Sequence, residues 1–159
     1  MNSGGATIYS LTEISARSPE LRPLIAALDA YQHSLYPPAS QHSIALHALA
    51  EDRVRCILVR DERGRAMGCG AVVFDDEQAG EIKRVYLNPD CRGQRLGEKV
   101  LVALETLARD AGCMLLRLET GIHQPAAIQL YQRCGYGFCA PFFPYHADPL
   151  SVFMMKALS

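Results

Sequence analysis

Polar and apolar residues alternate in two ways along the chain. Leu21, Leu24, Leu28 and Tyr31 recur at helical spacing inside "SPELRPLIAALDAYQHSLY", predicting a helix over 18–36 with Ser18 as N-cap and Pro37-Pro38 as its stop. Pro23 leaves the start of that helix soft. "SQHSIALHALA" (40–50) reads as a shorter helical piece. "ATIYSLTEIS" (6–15), "RCILVRD" (55–61), "AMGCGAVVF" (66–74) and "EIKRVYL" (81–87) read as strands, the middle two as arms of a hairpin turned at "ERGR". Next comes a helix ending near Ala111 and closed by Gly112. Its positions Leu96, Val100, Leu104, Leu107 and Ala111 form the expected buried stripe, with Glu98, Glu105 and Arg109 expected on the opposite, solvent side. "CMLLRLET" (113–120) is another strand, "PAAIQLYQRCG" (125–135) a helix, and "YGFCAPF" and "SVFMMKAL" two last strands. Antiparallel arms followed by strand–helix–strand–helix–strand imply one α/β domain over 1–159, a mixed sheet covered by helices.

Composition narrows the function classes. A net charge of −1 argues against nucleic acid as a partner. No apolar run approaches the ~20 residues that span a bilayer, and "MNSGGATIYS" lacks a signal-peptide core, so a cytoplasmic protein is expected. The six cysteines include no C-x-x-C pair and no zinc spacing with histidine, so buried thiols are expected and no metal.

One stretch breaks the neutral pattern. "VYLNPDCRGQRLGEKVL" (85–101) runs from a strand through an Arg- and Gly-bearing loop into a helix. Between 81 and 99 stand five basic residues (Lys83, Arg84, Arg92, Arg95, Lys99) against three acidic ones, a local +2. A helix start with unpaired N–H groups, glycines at 93 and 97 and flanking arginines is suited to an anion, most naturally a phosphate. Neither a P-loop nor a G-x-G-x-x-G string is present, and a plain strand–helix turn with solvated arginines is the structural alternative. The charges inside "EIKRVYL" fit a strand that borders a cleft better than one buried on both faces.

"RVYLNPDCRGQRLGEKVL" followed by "RLETGIHQPAAIQLYQRCGYGF" resembles the GNAT superfamily of acetyl-coenzyme-A-dependent N-acyltransferases, with the likeness covering roughly 55–158 in the manner of a small bacterial member. The resemblance implies a mixed sheet of six to seven strands, splayed at the cofactor cleft and covered by helices on both faces. It implies acetyl-coenzyme A as co-substrate and a primary amine of a small molecule or peptide as acceptor, and leaves a homodimer open. By the same resemblance the backbone of Val85, Tyr86 and Leu87 holds the pantetheine arm and the acetyl carbonyl, and Arg92, Gly93, Gln94, Arg95, Leu96 and Gly97 wrap the pyrophosphate. Gln124 stands where an Asn is common and Arg95 where a Gly is common. Tyr131 takes the place of the tyrosine credited with protonating the coenzyme-A sulfur.

Glu81 is the preferred general base, expected on the same strand face as Val85 and matching a glutamate kept by some family members; its structural alternative is a solvated partner of Lys83 or Arg84. Glu119 is its rival and His123 is plausible by position. Segments 35–49 and 140–150 are expected to wall the acceptor pocket, while His33, His42, His47 and His146 carry no assignment. A non-catalytic acyl-coenzyme-A sensor is the alternative to an enzyme.

Overall fold

The computed structural model describes residues 7–40, 45–91 and 94–159. Seven strands form one sheet: β1 (Ser10–Ile14), β2 (Val54–Arg60), β3 (Ala66–Phe74), β4 (Ala79–Leu87), β5 (Leu115–Gly121), β6 (Gly137–Phe138) and β7 (Ser151–Ala157). Their order is β1-β2-β3-β4-β5-β7-β6. Every pairing is antiparallel except β4 with β5. That mixed sheet is the architecture the alternation of patterns predicts.

Helices cover both faces. One face carries α1 (Arg22–Leu35), whose Leu24, with Leu21 just before the helix, packs on Cys56, Leu58, Cys69 and Ala71. Ser18 does accept an N–H, from Glu20 at 3.2 Å, but a 3-10 turn at Pro19–Leu21 precedes the helix proper. The opposite face carries α2 (Leu96–Asp110) and α3 (Pro125–Arg133), sharing a core with Val59, Val72, Ile82, Leu116 and Met154. Gly97 brings these two helices together: a Cβ there would stand 2.8 Å from Leu130 Cδ2.

Several expectations change in three dimensions. Glu105 is not on the solvent side of α2 but 4 % exposed, accepting from Tyr136 Oη at 2.8 Å and from Lys156 Nζ at 3.0 and 3.1 Å. A wide apolar face reaches β7 there, and the carboxylate is tolerated because it is paired. Ala111 is exposed, since the chain turns away at Gly112, whose φ is +81°. Tyr31 is 46 % exposed and not part of the α1 core stripe. The first strand is shorter than 6–15, and the strand expected in "YGFCAPF" is reduced to Gly137–Phe138. Between 40 and 50 the described residues hold only 3-10 turns, Pro38–Ser40 and Leu46–Ala48. All six cysteines are free thiols, four of them buried.

Candidate active site

The parallel pairing of β4 with β5 runs from Ala79–Leu115 to Ile82–Leu118 and stops. Beyond it the strands part, and among the described residues β5 does not pair with 83–87. A β-bulge explains the departure. Cys69 faces Tyr86 and Ala71 faces Lys83, so Gly70 opposes two residues, Arg84 and Val85. Arg84 takes the left-handed conformation at φ +59°, its carbonyl accepts from Cys69 Sγ, and its guanidinium pairs with Asp29 of α1.

The bulge also reverses the face of the residues around it. Ile82 and Val85 both pack toward α2, three positions apart, whereas Tyr86 packs toward α1. Glu81 therefore lies on the opposite face from Val85, correcting the expectation that they share one. An extra residue in a strand of period two produces this switch.

A cleft of about 770 Å³ opens where the strands part. Its walls include 81–87 of β4, 95–98 at the start of α2, 119–121 at the end of β5, and 124–127 with Leu130 and Tyr131 of α3. From α1 and the segment after it come Leu28, Tyr31, Gln32, Tyr36 and Ser40. Thus Glu81, Val85, Tyr86, Leu87, Arg95, Leu96, Gly97, Gln124 and Tyr131 line one space. Gln94 does not line it. Arg92, Gly93 and His42 lie outside the described residues.

Tyr131 is 8 % exposed, and its ring meets Tyr136 edge-on at 6.0 Å. Its hydroxyl has no hydrogen-bond partner among the described residues, although a tyrosine in a core normally places that group on a neighbour. Burial, with the charge of Glu119 and the Cys134 thiol nearby, pushes the phenol well above its ordinary range and keeps it protonated.

Glu81 approaches from the other face within a small network. Tyr145 donates to its Oε2, Lys83 Nζ stands 3.1 Å from the same oxygen, and Lys83 also donates to Tyr145 Oη at 2.6 Å. Phe142 and Phe153 pack on the Tyr145 ring at 5.2 and 5.7 Å. Burial, then the Glu81 charge and hydrogen bond, raise the Tyr145 phenol and keep it a donor. Glu119, the rival carboxylate, accepts from Ser151 Oγ at 2.7 Å. His123 does not line the cleft but stacks on Tyr36, with ring centroids 5.3 Å apart. Sequence reasoning missed Tyr145 and Tyr36 because each reaches its partner across more than 60 positions of chain. The proline- and aromatic-rich segments that contain them were the only local signal.

Arg95 forms the N-cap of α2 in the left-handed conformation, φ +56°, with no side-chain cap. Residues 95–98 line the cleft, so the helix start brings its N–H groups and positive dipole end to the cleft rim. Among the described residues no His/Cys/Asp/Glu group could hold a metal ion. No helix of the described residues is long and apolar enough to cross a membrane.

A sequence model of the acetyltransferase (GNAT) family matches residues 11–136. The chain is 43 % identical over 136 residues to an IAA acetyltransferase of Azospirillum brasilense, covering 85 % of this chain and 88 % of that one. It is 32 % identical over 143 residues to the uncharacterized N-acetyltransferase YsnE of Bacillus subtilis, covering 86 % and 93 %. Among solved structures, a candidate acyl-CoA N-acyltransferase from Klebsiella pneumoniae superposes with a TM-score of 0.86 at 49 % identity, covering 96 % of this chain and 99 % of that one. The PaiA N-acetyltransferase of Thermoplasma acidophilum, solved with coenzyme A, shares the fold at a TM-score of 0.69 and 14 % identity, covering 94 % and 99 %.

Proposed function

The chain belongs to the acetyltransferase (GNAT) family, and from that premise we propose that it moves the acetyl group of acetyl-coenzyme A to a primary amine of a small molecule or peptide, by direct attack of the amine. The observation that carries this reading is the opening beyond Ile82–Leu118, where a protonated phenol without a partner among the described residues and a fixed carboxylate line one cleft from opposite faces.

The residues present fit the co-substrate. A strand edge from which β5 has parted suits the two amides of a pantetheine arm, and a helix start beside Arg95 suits its diphosphate. When bound, acetyl-coenzyme A supplies an activated thioester acyl group. Backbone groups of Val85, Tyr86 and Leu87 hold the arm and offer an N–H to the acyl oxygen, a contact typically worth about 10²–10³ in rate. Glu81 takes the proton the acceptor ammonium must lose, directly or through water. Freeing an amine of pKa about 10 costs roughly 4 kcal/mol at pH 7, so a positioned base matters. Tyr131 gives its proton to the departing sulfur as the carbon–sulfur bond breaks. Glu119, on the same cleft wall, is the second carboxylate able to take the Glu81 role.

The test is thiol release from acetyl-coenzyme A across a panel of amines, alongside calorimetry with coenzyme A. Turnover that falls in Glu81→Gln and Tyr131→Phe supports the reading. Binding without turnover, indifferent to both substitutions, would instead identify a sensor, and absence of any binding heat would remove the cofactor assignment itself.

A further inference from the structure

One phenol ties the end of α1 to the turn between β5 and α3. Tyr36 is the C-cap of α1, and its ring stacks on His123. Its oxygen accepts the His123 N–H at 3.1 Å, and its hydroxyl donates to Gln124 Oε1 at 3.1 Å. Gly121 lies directly beneath: a Cβ there would stand 1.8 Å from the Tyr36 hydroxyl oxygen. Glycine at 121 is therefore a condition of the contact. Gln124 is the N-cap of α3, yet its side chain makes no cap bond to its own helix. Instead it meets a residue 88 positions earlier.

We propose that Tyr36 is a positioning residue that turns the Gln124 carboxamide so that its N–H donors face a carbonyl of the pantetheine arm. The inference rests on the cleft being the coenzyme-A site. A carboxamide has one accepting end and one donating end. Tyr36 occupies the accepting end, so the nitrogen is the end presented to the cleft that Gln124 lines. The length of Gln then has a reason. Asn, one methylene shorter, would carry its carboxamide less far from this backbone position toward the phenol. The departure from the common Asn and the presence of Tyr36 are two halves of one arrangement.

The test compares Gln124→Glu, Gln124→Met and Tyr36→Phe by calorimetry with coenzyme A, by melting temperature and by steady-state kinetics. A carboxylate at 124 still accepts from Tyr36 but offers no donor to the ligand. Gln124→Glu is expected to melt as the parent does while binding coenzyme A about tenfold more weakly, and Gln124→Met to share the loss of affinity. Tyr36→Phe is expected to raise KM for acetyl-coenzyme A about fivefold, with kcat at saturation within about twofold. If Gln124→Glu binds coenzyme A as the parent does, or if Tyr36→Phe lowers only the melting temperature, the positioning role is wrong although the transferase reading stands. If the parent gives no heat with coenzyme A, both fall together.

Discussion

Lys83 Nζ stands 3.1 Å from the Glu81 carboxylate, two positions away on the same strand face, and Tyr145 closes the triangle by bonding to both. The carboxylate is thereby held in one orientation at the cleft wall. Glu81→Gln is expected to lower kcat about 10²-fold while leaving coenzyme-A affinity within twofold. Tyr145→Phe, which removes one donor to a charged group, should lower kcat roughly tenfold. Thiol-release kinetics with saturating acetyl-coenzyme A check both, and an unchanged kcat in Glu81→Gln would transfer the role to Glu119.

Tyr131→Phe removes a hydroxyl that bonds to no described protein group. Its stability should stay within about 0.5 kcal/mol of the parent, while kcat falls by about 10-fold to 100-fold. Urea unfolding and steady-state rates on the same preparation separate the two effects. A large loss of stability would show a structural hydroxyl.

Arg95→Gly should act in opposite directions on fold and function. Glycine adopts the left-handed N-cap without the cost of roughly 1 kcal/mol that a side chain bears there, so the urea midpoint should rise. Loss of the guanidinium at the cleft rim should raise KM for acetyl-coenzyme A several-fold, and more so at low salt. A KM independent of both the residue and the salt would remove Arg95 from the diphosphate site.

Glu105 and Lys156 form a pair on the side of α2 next to β7, outside the cleft lining. Glu105→Ala leaves Lys156 and the Tyr136 hydroxyl without their carboxylate and should destabilise by about 3 kcal/mol. Glu105→Leu combined with Lys156→Met should recover much of that loss, with kcat unchanged throughout. Chemical denaturation of the three variants gives the comparison.

Alkaline pH should weaken the fold before it affects Tyr131 as an acid. Burial raises the Cys56 thiol to about 11 and Cys69 to about 12 from an ordinary 9.0. It also lifts the phenols of Tyr131, Tyr136 and Tyr145 above 10.0. The folded state then holds more protons than the unfolded chain, so stability falls as pH rises. This contribution is complete below pH 9 and is lost from there upward, first through the thiols and then, above 10, through the phenols. Urea midpoints measured from pH 8 to 11 should decline accordingly, and Cys69→Ala should flatten the first part of the decline.

Much of this protein is legible from one end of the chain to the other. The periods of 2 and 3.6 placed β3, β4, α2 and α3 within a few residues, because each depends on which side of a short segment is apolar. The motif around 85–101 located one side of the cleft along the chain, since a strand end, a turn and a helix start are local structures, and the family resemblance added the Tyr131 helix. What tertiary structure decided is where partners meet. The bulge at Arg84 exists only because β4 pairs with β3 across Gly70, and it alone puts Glu81 and Val85 on opposite faces. Glu105 could be read as a solvated charge until β7 brought Lys156 beside it. Tyr145 reaches Glu81 over 64 positions and Tyr36 reaches Gln124 over 88, and no pattern in a single segment encodes a contact whose other half lies so far along the chain.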